Sequence, residues 1–194
     1  DYLKKDNDFF TLFLISGGGS SLVDLLPEGL SLYKYRSLNA QLLKAEVPIN
    51  DINCIRKHLS LIKGGRLLEY INHRNAFCFI LNDIFSGEHH NVASGLTFSD
   101  NSSLADAQSL IRQYLPEYYH DYKELMTETP KGFASIPYHC IGDNEQFLQI
   151  IKEQFNEQNI PCEISSYQLA DYANMSGLNI GCQLYKFFKK KEKP

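Results

Sequence analysis

The chain has 194 residues, 43% of them hydrophobic and 22% charged, with a formal net charge of −4. That length supports one domain with a real core, and the acidic balance argues against nucleic acid as the main partner. No apolar run approaches the length of a membrane span.

The opening, Asp1-Tyr2-Leu3-Lys4-Lys5, is not a secretory leader and lacks an initiator Met, so it reads as the inside of a longer chain. A seven-residue apolar run from Phe9 follows, of which Phe10 to Ile15 reads as a strand buried on both faces. It stops at Gly17-Gly18-Gly19-Ser20-Ser21. The glycines permit a sharp turn and a close backbone approach, and Ser20 or Ser21 suits a helix cap. Strand, glycine turn and helix start together make an anion site. The stretch is neither a Walker A loop nor Gly-x-Gly-x-x-Gly, and a plain glycine turn remains the alternative.

Leu22 to Leu26 predicts a short helix ended by Pro27. Ser31 opens a second helix with Tyr35, Leu38 and Leu42 at helical spacing, stopped by Pro48. Asp51 to Lys63 predicts a third, with Gly64-Gly65 as its C-cap, and Arg66 to Ile71 adds a turn or two. On the third helix Arg56, Ser60 and Lys63 stand at i, i+4 and i+7, within about 60° of one another. Two cations and a hydroxyl on one sector suit a polyphosphate. Basic residues offsetting a helix C-terminus are the plainer alternative. His58 reads as a packed or surface residue.

Ala76 to Leu81 predicts a second buried strand, ending at Asn82-Asp83. A carboxylate there suits Mg²⁺ or the activation of a hydroxyl, with a turn or cap as the alternative. Glu88-His89-His90 reads as a solvated loop rather than a metal site. Ser103 to Asp106 resembles a capping box, opening a helix with Leu104, Ala107, Leu110, Ile111 and Tyr114 on one face. Pro116 to Gly132 reads as a short helix and a loop, and its tyrosines as partly buried helix faces. Ile136 to Ile141 predicts a third strand, ending at Gly142-Asp143-Asn144.

An amphipathic helix follows through Phe147, Ile150, Ile151 and Phe155. Pro161 to Ser165 predicts a fourth strand, and Leu169 to Phe188 a helix interrupted at Gly177 and Gly181. The whole reads as one α/β domain over 1–188 with a basic tail over 189–194. Alternation of strands and helices predicts a parallel sheet with helices on both faces. Ligands of such sheets bind at the carboxyl ends of the strands, which gathers the glycine loop, Asp83 and Asp143 on one edge. The five cysteines (Cys54, Cys78, Cys140, Cys162 and Cys182) form no Cys-x-x-Cys and read as free thiols in a reducing cytoplasm.

Three motifs occur in order: Leu14-Ile15-Ser16-Gly17-Gly18-Gly19-Ser20-Ser21; Asn53-x-x-Arg56-Lys57-His58-Leu59-Ser60-x-Ile62-Lys63-Gly64-Gly65-Arg66-Leu67; and Ala93-Ser94-Gly95-x-Thr97. The set resembles the glycerate 2-kinases that carry a C-terminal MOFRL domain, some of which bear the older label hydroxypyruvate reductase. The resemblance implies a three-layer α/β/α Rossmann-like fold with a mostly parallel sheet. It implies ATP and Mg²⁺ as cofactors and D-glycerate as substrate, phosphorylated at the 2-hydroxyl in a cleft between two domains. By motif, Gly17, Gly18, Gly19, Ser20 and Ser21 would cradle phosphate, with Gly64, Gly65, Ser94, Gly95 and Thr97 also on the cofactor side. Arg56, Lys57 and Lys63 would neutralise charge, and Asp83 would hold the metal.

The chain departs from that family's pattern at several points. Asn82-Asp83-Ile84-Phe85-Ser86-Gly87-Glu88 stands for Ser-Asp-Val-x-Gly-Asp, Leu96 for a proline, and Ala170-Asp171 for a Gly-Glu pair. An upstream Gly-Lys segment and the MOFRL half have no counterpart in this sequence, so the chain reads as a fragment or a truncated relative. A phosphate-binding protein without turnover is the alternative function, and a hydroxypyruvate reductase a further one.

Overall fold

In the computed structural model the described residues are 10–71, 75–84, 89–133, 135–165 and 173–191. Phe85 to Glu88, the Ala170-Asp171 pair and the tail end 192–194 lie outside them. The chain divides into two compact units, Asp1–Phe147 and Leu148–Pro194.

The first unit is an α/β fold whose three-stranded parallel sheet is flanked by helices. Strands β1 (Thr11–Ser16), β2 (Ala76–Leu81) and β3 (Tyr138–Gly142) lie in the order β1-β2-β3. β1 and β2 pair in unbroken register from Thr11↔Ala76 to Ser16↔Leu81. β2 pairs with β3 from Cys78↔Tyr138, with a shift after Ile80. Pro137 stands just ahead of β3, where only its carbonyl is needed, and it accepts from the Cys78 N–H.

β1 is not buried on both faces. Thr11, Phe13 and Ile15 are half-buried, while Leu12 and Leu14 are 51% and 76% exposed. The alternation arises because β1 is an edge strand whose inner face alone packs, Phe13 and Ile15 meeting Cys78, Ile80 and Val92. β2, the central strand, is the more buried of the two.

The main core is helical. Helices α1 (Gly19–Leu22), α2 (Leu32–Lys44), α3 (Ile49–Leu59), α4 (Leu104–Tyr114) and α5 (Tyr119–Tyr122) follow in order. Leu38, Leu42, Ile55, Leu59 and Ile111 are almost completely buried together, each worth about 1.5–3 kcal/mol of burial. Ser31 caps α2 by accepting from the Lys34 N–H. Ser103 and Asp106 form the expected capping box on α4. Helix α1 starts at Gly19 rather than Leu22, and residues 23–27 are not helical.

Helix α6 (Asn144–Glu157) begins at the end of the first unit. In the second, Pro161 to Ser165 has no regular structure, so the fourth strand is absent there. Five residues without a partner strand cannot satisfy a ladder. Helix α7 (Ala173–Lys191) runs unbroken through Gly177 and Gly181, where a Cβ would meet nothing. All five cysteines are free thiols. Among the described residues no helix is long and apolar enough to cross a membrane.

Candidate functional site

β1 delivers the chain to Gly17 and Gly18, and α1 starts at Gly19. The turn is closed by Ser20 N–H on the Gly17 carbonyl (3.0 Å) and by Leu22 N–H on the Gly18 carbonyl (3.2 Å). The Gly18 and Gly19 N–H groups have no acceptor among the described residues. A Cβ on Gly17 would sit 1.9 Å from Asp83 Oδ1, so only glycine lets the Asp83 carboxylate lie against this backbone. Loop and carboxylate therefore meet at the carboxyl ends of β1 and β2, where the parallel-sheet rule places a ligand.

A network of five side chains secures the loop from beneath. The Ser20 carbonyl accepts from Lys63 Nζ (2.9 Å) and from Arg56 Nη2. Asp24 Oδ2 takes Lys63 Nζ at 2.6 Å and the Tyr35 hydroxyl at 2.8 Å, and its Oδ1 takes the Ser60 hydroxyl at 2.6 Å. Tyr35 in turn accepts from Arg56 Nε at 3.3 Å. Burial is the main cause that pushes the Tyr35 phenol up to about 12, opposed by Arg56 and reinforced by Asp24. Burial also lowers the Lys63 ammonium, against the pull of Asp24.

Arg56 and Lys63 do not share a helix face. Helix α3 ends at Leu59, with Ser60 extended as its C-cap. The Ser60 hydroxyl accepts from the Ile62 and Lys63 N–H groups, both at 3.2 Å, and this tight turn brings Lys63 back under the loop. The two cations converge as expected, through a turn rather than through helical periodicity.

Two left-handed turns lock together behind the loop. Gly64 and Gly65 have φ of 61° and 86°; Ala93, Ser94 and Gly95 have φ of 53°, 60° and 67°. Gly64 N–H bonds the Ser94 carbonyl (3.2 Å) and Gly65 N–H the Gly95 carbonyl (2.7 Å). Two successive non-glycine residues held at positive φ are strained, a state that persists only where the surroundings enforce it. From this turn Ser94 Oγ reaches Ser20 Oγ at 2.8 Å and donates to Asn53 Oδ1 at 3.3 Å.

A family model described as Domain of unknown function (DUF4147) matches residues 2–125. The chain belongs to that family, the N-terminal domain of the glycerate 2-kinases. It is 34% identical to the D-glycerate 2-kinase of Thermotoga maritima over 191 residues, 98% of this chain and 45% of that protein. It is 33% identical to the glycerate 2-kinase of Sulfurisphaera tokodaii over 130 residues, 67% of this chain and 31% of that one. The crystal structure of the Thermotoga maritima glycerate kinase superposes with a TM-score of 0.72 over 82% of this chain and 39% of that chain. The chain thus spans less than half the length of these relatives.

Within this glycerate 2-kinase domain the motif residues divide in two. Gly17 to Ser21, Arg56, Lys63, Asp83 and Ser94 come together at the loop. Gly64, Gly65, Gly95 and Thr97 lie behind it in close packing. A Cβ on Gly64 would meet Thr129 Cγ2 at 2.8 Å, one on Gly65 the Phe98 carbonyl at 2.9 Å, and one on Gly95 the His90 carbonyl at 2.8 Å. Thr97 is fully buried. Lys57 is buried and points to Asp100 Oδ1 at 3.2 Å instead of to the loop. Burial alone would push the Asp100 carboxyl up, but Lys57 and the Ser102 hydrogen bonds hold it below the ordinary value. His58 is a packed residue, fully buried with Nδ1 on the Cys54 carbonyl at 2.9 Å.

Sequence reasoning missed Asp24, Tyr35 and Asp100 in this domain. Asp24 had a signal: it is a lone carboxylate inside the apolar Leu22-Val23-Asp24-Leu25-Leu26. Among the described residues no group of three or more His, Cys, Asp or Glu side chains is gathered for a metal. Mg²⁺ is commonly held by one or two carboxylates together with phosphate oxygens. Asp83 beside open loop N–H groups fits that arrangement, because a carboxylate there would repel phosphate without a cation between them.

Proposed function

We propose that this chain is the phosphate-binding part of a glycerate 2-kinase, which transfers the terminal phosphoryl group of ATP to the 2-hydroxyl of D-glycerate with Mg²⁺. The observation that carries this reading is the Asp83 carboxylate against the Gly17 backbone, on a loop secured by Arg56 and Lys63. The N–H groups of Gly18 and Gly19 would hold phosphate and Asp83 the metal. When bound, Mg-ATP supplies the phosphoryl group and the charge that offsets its transfer. The chain's own residues contribute position: Lys63 and Arg56 fix the Ser20 carbonyl, and Ser94 fixes the Ser20 hydroxyl. Its five free thiols support a reducing, cytoplasmic setting.

A binding-only role is the second reading. One observation favours it: Lys57 and Lys63, both expected at the phosphate, are buried in ion pairs with Asp100 and Asp24. The test is formation of 2-phosphoglycerate from ATP, Mg²⁺ and D-glycerate by the purified chain. Mg²⁺-dependent product that is lost in Asp83→Asn supports the kinase. Nucleotide binding without product supports the second reading, and neither binding nor product refutes both.

A further inference from the structure

Ser94 occupies a conformation that side chains avoid. Its φ is +60°, beside Ala93 at +53°, and its carbonyl is held there by the Gly64 N–H at 3.2 Å. Glycine adopts this conformation without steric cost, so what serine adds at position 94 is its hydroxyl. Ser94 is buried, and that hydroxyl meets two protein groups, Asn53 Oδ1 and Ser20 Oγ.

The direction of these bonds follows from proton counting. A hydroxyl has one proton to give and two lone pairs with which to accept. Ser94 Oγ gives its proton to Asn53 Oδ1 at 3.3 Å. The 2.8 Å contact between the two serines therefore runs the other way, with Ser20 donating and Ser94 accepting. Its proton turned inward, half-buried Ser20 Oγ has only lone pairs to offer a ligand. Phosphate oxygens are acceptors too, so they gain no hydrogen bond from it. Ser21 Oγ is likewise turned back on the loop, donating to the Gly18 carbonyl at 3.3 Å. Phosphate is left to the backbone N–H groups, and the Ser20 lone pairs suit a hard cation, which takes oxygen ligands. The Ser20 N–H holds the Gly17 carbonyl at 3.0 Å, and the Asp83 carboxylate lies against Gly17. One turn thus carries a carboxylate and a neutral oxygen, both free of competing protons.

We propose that Ser20 Oγ is a neutral ligand of the Mg²⁺ that accompanies the nucleotide, beside Asp83, and that Ser94 and Asn53 are positioning residues that keep the Ser20 proton away from the metal. The inference rests on the kinase reading and moves the Ser20 side chain from the phosphate to the metal. One carboxylate and one hydroxyl leave the remaining positions to phosphate oxygens and water, which Mg²⁺ commonly retains.

The test is calorimetric titration of the purified chain with ATP in the presence of Mg²⁺ or Cd²⁺, which reads binding without turnover; circular dichroism checks the fold of each variant. Ser20→Ala weakens ATP about tenfold with either metal. Ser20→Cys weakens Mg-ATP by a similar factor and restores tight binding with Cd²⁺, because a thiol ligand prefers the softer ion. A merely structural serine would show no such change of metal preference. Ser94→Ala and Asn53→Leu each weaken Mg-ATP, since both release the Ser20 proton from its inward bond. Asn53→Asp, which keeps an acceptor for Ser94, binds Mg-ATP more tightly than Asn53→Leu. Ser20→Cys without a Cd²⁺ preference, whatever Ser20→Ala does, overturns the ligand assignment and leaves the kinase reading standing. Asn53→Asp no better than Asn53→Leu overturns the direction of the hydrogen bonds, and the assignment with it. No metal-dependent ATP binding by the unaltered chain overturns this assignment and the kinase reading together.

Discussion

Lys63 Nζ lies 2.6 Å from Asp24 Oδ2, and the Lys63 side chain is 1% exposed. The pair joins the chain just after α1 to the turn after α3, and the same ammonium holds the Ser20 carbonyl. Removing one partner leaves a buried charge uncompensated, which costs about 3–5 kcal/mol, whereas removing both costs far less. Asp24→Asn and Lys63→Met are each expected to lower the urea midpoint strongly, and the double variant to recover part of the loss. Additive losses in a double-mutant cycle would show that the pair does not couple.

Tyr35 makes the same network visible to pH. Its phenol is raised from 10.0 to about 12. For an acid whose folded pKa is raised, the native state binds more protons between the two values. Its stabilising contribution is complete below pH 10 and is lost as pH climbs toward 12. Ultraviolet titration of tyrosinate should show a late step near pH 12 that disappears in Tyr35→Phe, along with part of the alkaline fall in stability. An unchanged late step in that variant would assign it to another tyrosine.

Much of this arrangement was legible in the sequence. The apolar runs marked β1 and β2, and the Ser103–Asp106 box marked the start of α4 because both halves of that signal are local. The end of α3 was not legible, because the Ser60 hydroxyl diverts the chain before Gly64-Gly65 can act as a cap. The edge position of β1 depends on which strands pair with it, and an apolar run alone cannot report that. Asp24 was missed because its partners stand 11, 36 and 39 residues away, at Tyr35, Ser60 and Lys63. The three motifs located the loop, but whether a motif glycine faces a ligand or packs against Thr129 or Phe98 is a tertiary fact.

The glycines of the motifs separate into those the fold requires and those it does not. Gly65 has φ of +86°, and a Cβ there would press on the Phe98 carbonyl and the Phe133 ring. Gly65→Ala is expected to cost about 1–3 kcal/mol. Gly18 has φ of −56°, and a Cβ there would meet only Leu22 Cδ1, at an ordinary contact distance of 3.9 Å. Gly18→Ala is expected to be neutral or to stabilise by about 0.4–1 kcal/mol through the unfolded state. Thermal unfolding of the two variants measures both, and equal losses would refute the distinction.

The contact between Gly17 and Asp83 is the centre of the account, and titration of ATP with and without Mg²⁺ tests it most directly. The unaltered chain should bind ATP only with Mg²⁺. Gly17→Ala, whose new methyl displaces the exposed Asp83 side chain without disturbing the core, should keep its circular dichroism and lose at least about tenfold in affinity, some 1.4 kcal/mol. Equal binding by Gly17→Ala and the unaltered chain, or ATP binding indifferent to Mg²⁺, would contradict the assignment of this loop and carboxylate to a metal-nucleotide.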